Sequence, residues 1–287
     1  MGMVTTHVRR HRGALAVTYG AVVVENTLEL LYPFAIGLAV DGLLDGRWGG
    51  VIVFAAISLV HTVIGVARQW HDTRSFNRLY ASLATDLVEQ QRAAGVPTTS
   101  VAARAALAGE YVEFLQDGVS TAITAAFAVI GSLAMLFFYD LQLGLVAALA
   151  AVPVVLLNRR LMQRSGRIFR RLNDESEVEV SLIHEGSTAE VRRHFGVLAG
   201  HWNRLSDTEA ATWGLVDLVA LGLAVFALVR TTALSDEAGT IFAVIAYVWA
   251  YTGGFDLVPT VLQRMSNLAD IRRRLEGLDE AGPGGTP

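Results

Sequence analysis

Residues 119–139 read VSTAITAAFAVIGSLAMLFFY, a stretch without one charged side chain. Roughly 20 apolar residues cross the hydrocarbon core of a bilayer as a helix, so this run alone puts the chain in a membrane. Five further apolar runs extend outward from it. They cover 14–40, interrupted by Glu25 and Glu29; 51–67, containing His61; 143–157; 211–229 around Asp217; and 238–262, containing Asp256. The runs at 51–67 and 143–157 are short for a span. No helix-breaking signal follows Ala67 or Leu157, so both are expected to continue as longer helices with polar extensions. The expectation is six transmembrane helices.

Composition agrees and excludes much chemistry. Of 287 residues, 53% are hydrophobic and only 17% charged, below the quarter usual in soluble domains. All 23 basic residues are arginine, and there is no cysteine. Without lysine there is no Gly-Lys-Ser/Thr phosphate loop, Schiff base or lysine general base. Without cysteine there is no disulfide framework, thiol nucleophile or cysteine-ligated metal. Gly-x-Ser-x-Gly and Gly-x-Gly-x-x-Gly are also absent, which removes the serine-hydrolase and dinucleotide signatures. A net charge of −4 gives no basis for nucleic-acid binding. Arg9, Arg10 and Arg12 precede the first apolar run as in a signal peptide. That run is too long, carries two acids and lacks a clear small-residue cleavage site, so it is read as a retained span.

Connections alternate in length. Those at 41–50, 140–142 and 230–237 are short, whereas 68–118 and 158–210 are long, charged and helix-like. Every arginine except Arg47 and Arg230 lies in the N-terminus, the two long segments or the C-terminus. The positive-inside rule then puts both termini and both long segments on the cytoplasmic side of the cell membrane. About 50 residues is too few for an independent core, so each long segment should prolong its flanking spans as a stalk. In the second, Arg159, Arg160, Arg164, Arg167, Arg170 and Arg171 precede Asp174, Glu175, Glu177 and Glu179. This is either a solvated face with mixed charge pairs or a site for an anionic ligand. The expected organisation is a cytoplasmic N-terminus at 1–13, a six-span domain at 14–278 and a Gly/Pro-rich disordered tail at 279–287.

Local sequence resembles the six-helix transmembrane domain of ABC exporters across residues 14–278. Leu31-Tyr32-Pro33-Phe34-Ala35-Ile36-Gly37 leading into Asp41-Gly42 is similar to the end of the first exporter helix. Ala108-Gly109-Glu110, then Leu115 and Asp117, resembles the stretch after the first coupling helix. Glu185 with Val191-Arg192-Arg193-His194-Phe195-Gly196 resembles the second coupling region, and Pro153 and Pro259 sit where exporters carry prolines. The run from Glu25 to Pro33 is similar to a subgroup of stand-alone six-span proteins. The resemblance implies an all-α, ABC exporter-like membrane fold with long cytoplasmic helical extensions, working as a homodimer. It also implies partner contacts at Gly109, Glu110, Glu185 and Phe195, open to a separately encoded nucleotide-binding subunit. Two departures stand out. Tyr111-Val112-Glu113 replaces the arginine that usually follows the Gly-Glu pair, and residues 276–287 stand where a linker to a nucleotide-binding domain normally begins. ATP hydrolysis by this polypeptide is not expected.

Ionisable groups at membrane depth are costly and point to function by default. Glu25, Glu29, His61, Asp217 and Asp256 qualify. Counting inward from the outer ends at about 1.5 Å per residue, His61 lies roughly 15 Å down, Glu29 and Asp217 about 18 Å, and Glu25 and Asp256 about 24–27 Å. Glu25 and Glu29, four apart, share a helix face. Two carboxylates that close do not comfortably both ionise, so at least one is expected to hold a proton, which His61 could share. These residues form a proton or cation path, or they serve as fixed polar contacts between helices. No His-x-x-x-His or Glu-x-x-His pair lies in the membrane, so neither a metal nor a cofactor is expected. The other histidines, His7, His11, His71, His184, His194 and His201, read as surface residues. Gly253 and Gly254, with Pro259 beyond them, invite a kink that could gate. The expected function is a transporter subunit driven by a proton gradient or a separate ATPase. The alternatives are a non-transporting accessory or regulatory protein on the same scaffold, or a membrane enzyme using the buried acids and His61.

Overall fold

The computed structural model of the chain describes residues 3–280, without the side chains of residues 3, 4, 103, 169–182, 185, 266, 267, 269, 270 and 272–280. Among the described residues there is only helix, turn and short loop. Six helical stretches are long and apolar enough to cross a membrane, as the sequence leads one to expect. The elements are α1 (Met3–Arg10), α2 (Arg12–Leu30), α3 (Tyr32–Leu44), α4 (Gly49–Ala93), α5 (Thr98–Glu113), α6 (Val119–Ala126), α7 (Ser132–Tyr139), α8 (Leu141–Glu185), α9 (Thr188–Leu234) and α10 (Ala238–Glu280). The short apolar runs do continue: α4 and α8 are 45 residues each. α10 stays helical through Pro259. The first span is divided at Leu31, just ahead of Pro33. Two π-helical turns, Phe114–Gly118 and Phe127–Gly131, flank α6 within the third. Of the tail expected from residue 279, residues 281–287 lie outside the described residues, as do the side chains of Arg170, Arg171, Asp174, Glu175, Glu177 and Glu179.

The chain divides into two compact units, residues 1–134 with 231–287 and residues 135–230. In the first, the lower half of α4 buries Phe76, Leu79, Leu83 and Leu87 at helical spacing against Leu15 of α2 and Ala108 and Val112 of α5. Burial of such side chains away from water contributes about 1.5–3 kcal/mol each. The stalk thus becomes a packed bundle, with α1 and α2 supplying what a 50-residue segment lacks. The expectation of surface histidines fails here, because this packing buries His7, whose Nε2 meets Asp86 Oδ2 at 2.8 Å. Chain reversals after α3 and α4 use Gly46 and Gly95, at φ 75° and 72°. Arg47 N–H donates to the Gly42 carbonyl and Val96 N–H to that of Gln91, which closes both helix ends in the same way.

Inside the bilayer, apolar burial gives helices little reason to associate, and close approach of small residues takes its place. α3 meets α10 through glycine: a β-carbon on Gly37 would lie 2.6 Å from the Gly239 carbonyl oxygen. Beside them, Asp41 Oδ1 accepts the Gly239 N–H at 2.7 Å. This satisfies a donor at the α10 N-terminus, where negative charge is favoured.

The second unit is the hairpin of α8 and α9, with the end of α7. Leu136, Leu143, Ala147 and Val154 are buried there, as are Leu205, Leu223 and Ala227 of α9, and so is His194, which was also read as a surface residue. Ser187 and Glu190 form a capping box at the α9 start. The Ser187 N–H and hydroxyl donate to Glu190 Oε2 at 2.8 and 2.7 Å. At the other end Arg230 grips Asp140, with Nε to Oδ1 at 3.2 Å and Nη2 to Oδ2 at 3.1 Å. The Arg230 hydrogen bond holds the Asp140 carboxyl below its usual value.

Candidate functional site

Two irregularities in otherwise regular helices face each other in the first unit. Pro33 lacks an N–H and cannot complete the ladder across Leu31. One residue beyond the Glu29 carbonyl that Pro33 leaves without its helical donor, the Leu30 carbonyl accepts the Tyr247 hydroxyl of α10 at 2.8 Å, a side-chain bond of the kind that lets a helix break persist at membrane depth. Opposite lies the π turn Phe127–Gly131, held close by two glycines. A β-carbon on Gly131 would lie 2.9 Å from Leu30 Cδ2, and one on Gly254 would lie 2.8 Å from Val129 Cγ2. The break and the bulge leave between them a cavity of about 100 Å³. At about 30 Å³ per molecule this is room for roughly three waters.

Its walls are mostly apolar, with Leu30, Pro33, Phe127 and Ala250 among them. The polar exceptions are Asn26, Glu29, Thr124, Ser132 and Tyr247. Asn26 Nδ2 donates to the Val22 carbonyl at 2.8 Å. Ser132 is wholly buried and its Oγ has no hydrogen-bond partner. A buried hydroxyl left unbonded costs about 1–3 kcal/mol, and this one lies behind the cavity surface, out of reach of water. Glu29 is accessible and supplies the only carboxylate among the described residues of the lining.

Glu25, the other acid on α2, has a different environment. Its Oε2 accepts a charge-assisted hydrogen bond from Arg68 Nε, and Arg68 Nη1 also donates to Asp72 Oδ2 at 2.9 Å. Thr18 Oγ1 closes the group on Asp72 Oδ1 at 2.5 Å. Arg68 therefore pairs with Glu25, so the two acids on this face sit in different surroundings, Glu25 against a guanidinium and Glu29 in the cavity wall. Sequence reasoning missed Arg68 because it opens the arginine-rich segment. Its depth gave the signal: it lies about 26 Å from the outer end of the apolar run at 51–67, level with Glu25.

The remaining residues are dispersed. His61 Nδ1 lies 2.6 Å from the Tyr32 hydroxyl, one residue beyond the helix break. Asp256 is exposed on α10, Asp217 is exposed on α9 in the second unit, and Gly253 has nothing within 4 Å of an added β-carbon. Gly109 lies beside the Tyr80 ring and Glu110 is exposed on α5. Phe195 is 46% exposed near the start of α9, while the side chain of Glu185 lies outside the described residues. Among the described residues no three histidine or acidic side chains converge as a metal site would require. Asn26, Thr124 and Ser132 were also missed. A serine in the chargeless run 119–139 is a weak signal, and nothing in residue type announces a π turn.

A family model described as the ABC transporter transmembrane region matches residues 5–239. No curated protein matches the chain.

Proposed function

The chain belongs to the ABC transporter transmembrane-region family, and from that premise we propose an exporter-like transporter subunit that works as a homodimer and couples to a proton gradient through Glu29. That it is a multi-pass membrane protein of transport type follows from the family and the six spans. The observation that carries the finer reading is the cavity at the broken first span, where the accessible carboxylate of Glu29 joins Asn26 and Thr124 in mostly apolar walls. Discontinuous helices at mid-membrane are where transporters build binding sites. The homodimer is supported by exposure: Glu29, Asp217 and Asp256 are all accessible in the single chain at membrane depth. Lipid is a poor neighbour for a carboxylate, and a second copy enclosing a watered cavity removes that cost. The location is the cell membrane, with both termini cytoplasmic, as the arginine distribution implies.

The test is proton movement in proteoliposomes under an imposed pH gradient. The wild type dissipates the gradient without ATP, and Glu29→Gln reduces the rate to that of empty liposomes. Equal rates in the two proteins would overturn proton coupling.

One observation favours a separate ATPase as the energy source instead. Phe195 projects from α9 about 24 Å beyond its apolar run, and an exposed aromatic so far from lipid suits a protein partner. These 287 residues contain no lysine for a phosphate loop, so the ATPase site would lie elsewhere. An ATPase that copurifies with the wild type and is lost on Phe195→Ala supports that reading.

A further inference from the structure

The arginine-rich stretch of α8 remains unused by the transport reading. Arg164, Arg167 and Ile168 of α8 face Arg204, Asp207 and Thr208 of α9 across an open recess of about 480 Å³. Three guanidiniums and one carboxylate leave this recess net positive. Among the described residues, no carboxylate lies within ion-pairing distance of Arg164 or Arg204. The Nε of Arg167 donates to the Gln163 carbonyl at 3.3 Å, which holds that guanidinium against its own helix with its outer nitrogens free. Planar guanidiniums match phosphate oxygens in pairs, so the shared chemistry is a phosphate group.

Height selects its source. Arg164 stands seven residues past Leu157, the end of one apolar run, and Arg204 seven residues before Ala211, the start of the next. Arg204 therefore lies about 10 Å outside the hydrocarbon, with Arg164 across the recess from it, and a side chain of that length can span back to the headgroups. Exposed Trp213, two residues inside the boundary, occupies the depth where tryptophans mark the membrane interface. We infer that the recess between Arg164, Arg167 and Arg204 binds the phosphate of an anionic phospholipid headgroup in the leaflet on the arginine-rich side. Asp207 on the rim accepts a hydrogen bond from a headgroup hydroxyl, which fits phosphatidylglycerol. The positive balance disfavours zwitterionic lipids.

The test measures lipid retained per chain by mass spectrometry, after exchange into nanodiscs of phosphatidylglycerol mixed with phosphatidylcholine. Wild-type protein should retain phosphatidylglycerol in preference to phosphatidylcholine. Arg164→Gln with Arg204→Gln should weaken that retention roughly 25-fold, from about fivefold for each guanidinium hydrogen bond to the phosphate that is lost. Arg159→Gln with Arg160→Gln removes the same charge from α8 outside the recess and should leave it intact. If the recess pair fails to fold by circular dichroism, Arg204→Gln alone should still give the fivefold loss. Equal losses in the two double variants would reduce the effect to general surface charge and overturn the site. Inorganic phosphate that binds in pure phosphatidylcholine nanodiscs as tightly as phosphatidylglycerol does would overturn the lipid assignment in favour of a free anion.

Discussion

Arg68 is the residue on which the first unit's polar interior depends. One guanidinium serves two carboxylates, and the side chains of Glu25 and Asp72 are only 10% and 5% exposed. Removing one member of such a group leaves buried charge without compensation, which costs about 3–5 kcal/mol. Arg68→Leu is therefore expected to lower the melting temperature sharply in detergent, followed by intrinsic tryptophan fluorescence. Adding Glu25→Gln and Asp72→Asn to that variant removes both orphaned charges and should recover most of the loss. Arg68→Lys should recover little, because a single ammonium does not reproduce a fork aimed at two acids. Unchanged melting in Arg68→Leu would mean that water, not Arg68, compensates the acids. The same residue marks how far sequence could reach. Glu25 and Glu29 were visible as costly acids on one face, but which of them was free depended on a partner 43 positions away. Residue type alone could not separate them.

At the scale of elements, the outer ends of α3 and α10 are joined by backbone contact. Gly239 meets the Gly37 carbonyl, and a β-carbon on Gly239 would also lie 2.6 Å from Asp41 Oδ2. Backbone in the way cannot swing aside as a flexible side chain can, so Gly239→Ala should cost about 1–3 kcal/mol, the range for overpacking. Gly253→Ala on the same helix adds a β-carbon with nothing within 4 Å, and loses a residue with poor helix propensity. It should leave stability unchanged or slightly raised. Thermal melts of the two variants side by side check this, and equal behaviour would refute the α3–α10 contact. The pair also separates what the sequence disclosed from what it hid. Gly253-Gly254 stood out as adjacent glycines, yet α10 passes through them unbroken, and Gly254 makes room for the π turn against α10. Gly37 and Gly239 lie far apart in sequence, and only the folded contact reveals that each leaves room for the other's backbone.

For the whole molecule, the spans were legible because each ionised side chain at mid-bilayer costs a few kcal/mol, a penalty written into one dimension of sequence. Orientation rests on a different quantity, the arginine asymmetry, and can be examined directly because the natural chain has no cysteine to remove. A single cysteine can be introduced at Asp236, exposed between α9 and α10, or at Ala189, exposed at the start of α9 just past the Ser187 cap. Neither position carries the capping hydrogen bonds of its neighbours, so both variants should fold. A membrane-impermeant maleimide added to intact cells should label Asp236→Cys within minutes, and should label Ala189→Cys only after permeabilisation. The reverse pattern would invert the topology, putting the arginine-rich stalks outside and Asp140–Arg230 inside. That outcome would also leave Phe195 facing away from any cytoplasmic ATPase, while the Glu29 cavity, near mid-membrane, would keep its role with the gradient read from the other side. The labelling experiment therefore constrains the energy source as well as the topology: a stalk labelled from outside excludes the ATPase reading, and a stalk reached only after permeabilisation keeps both and leaves Glu29→Gln to choose.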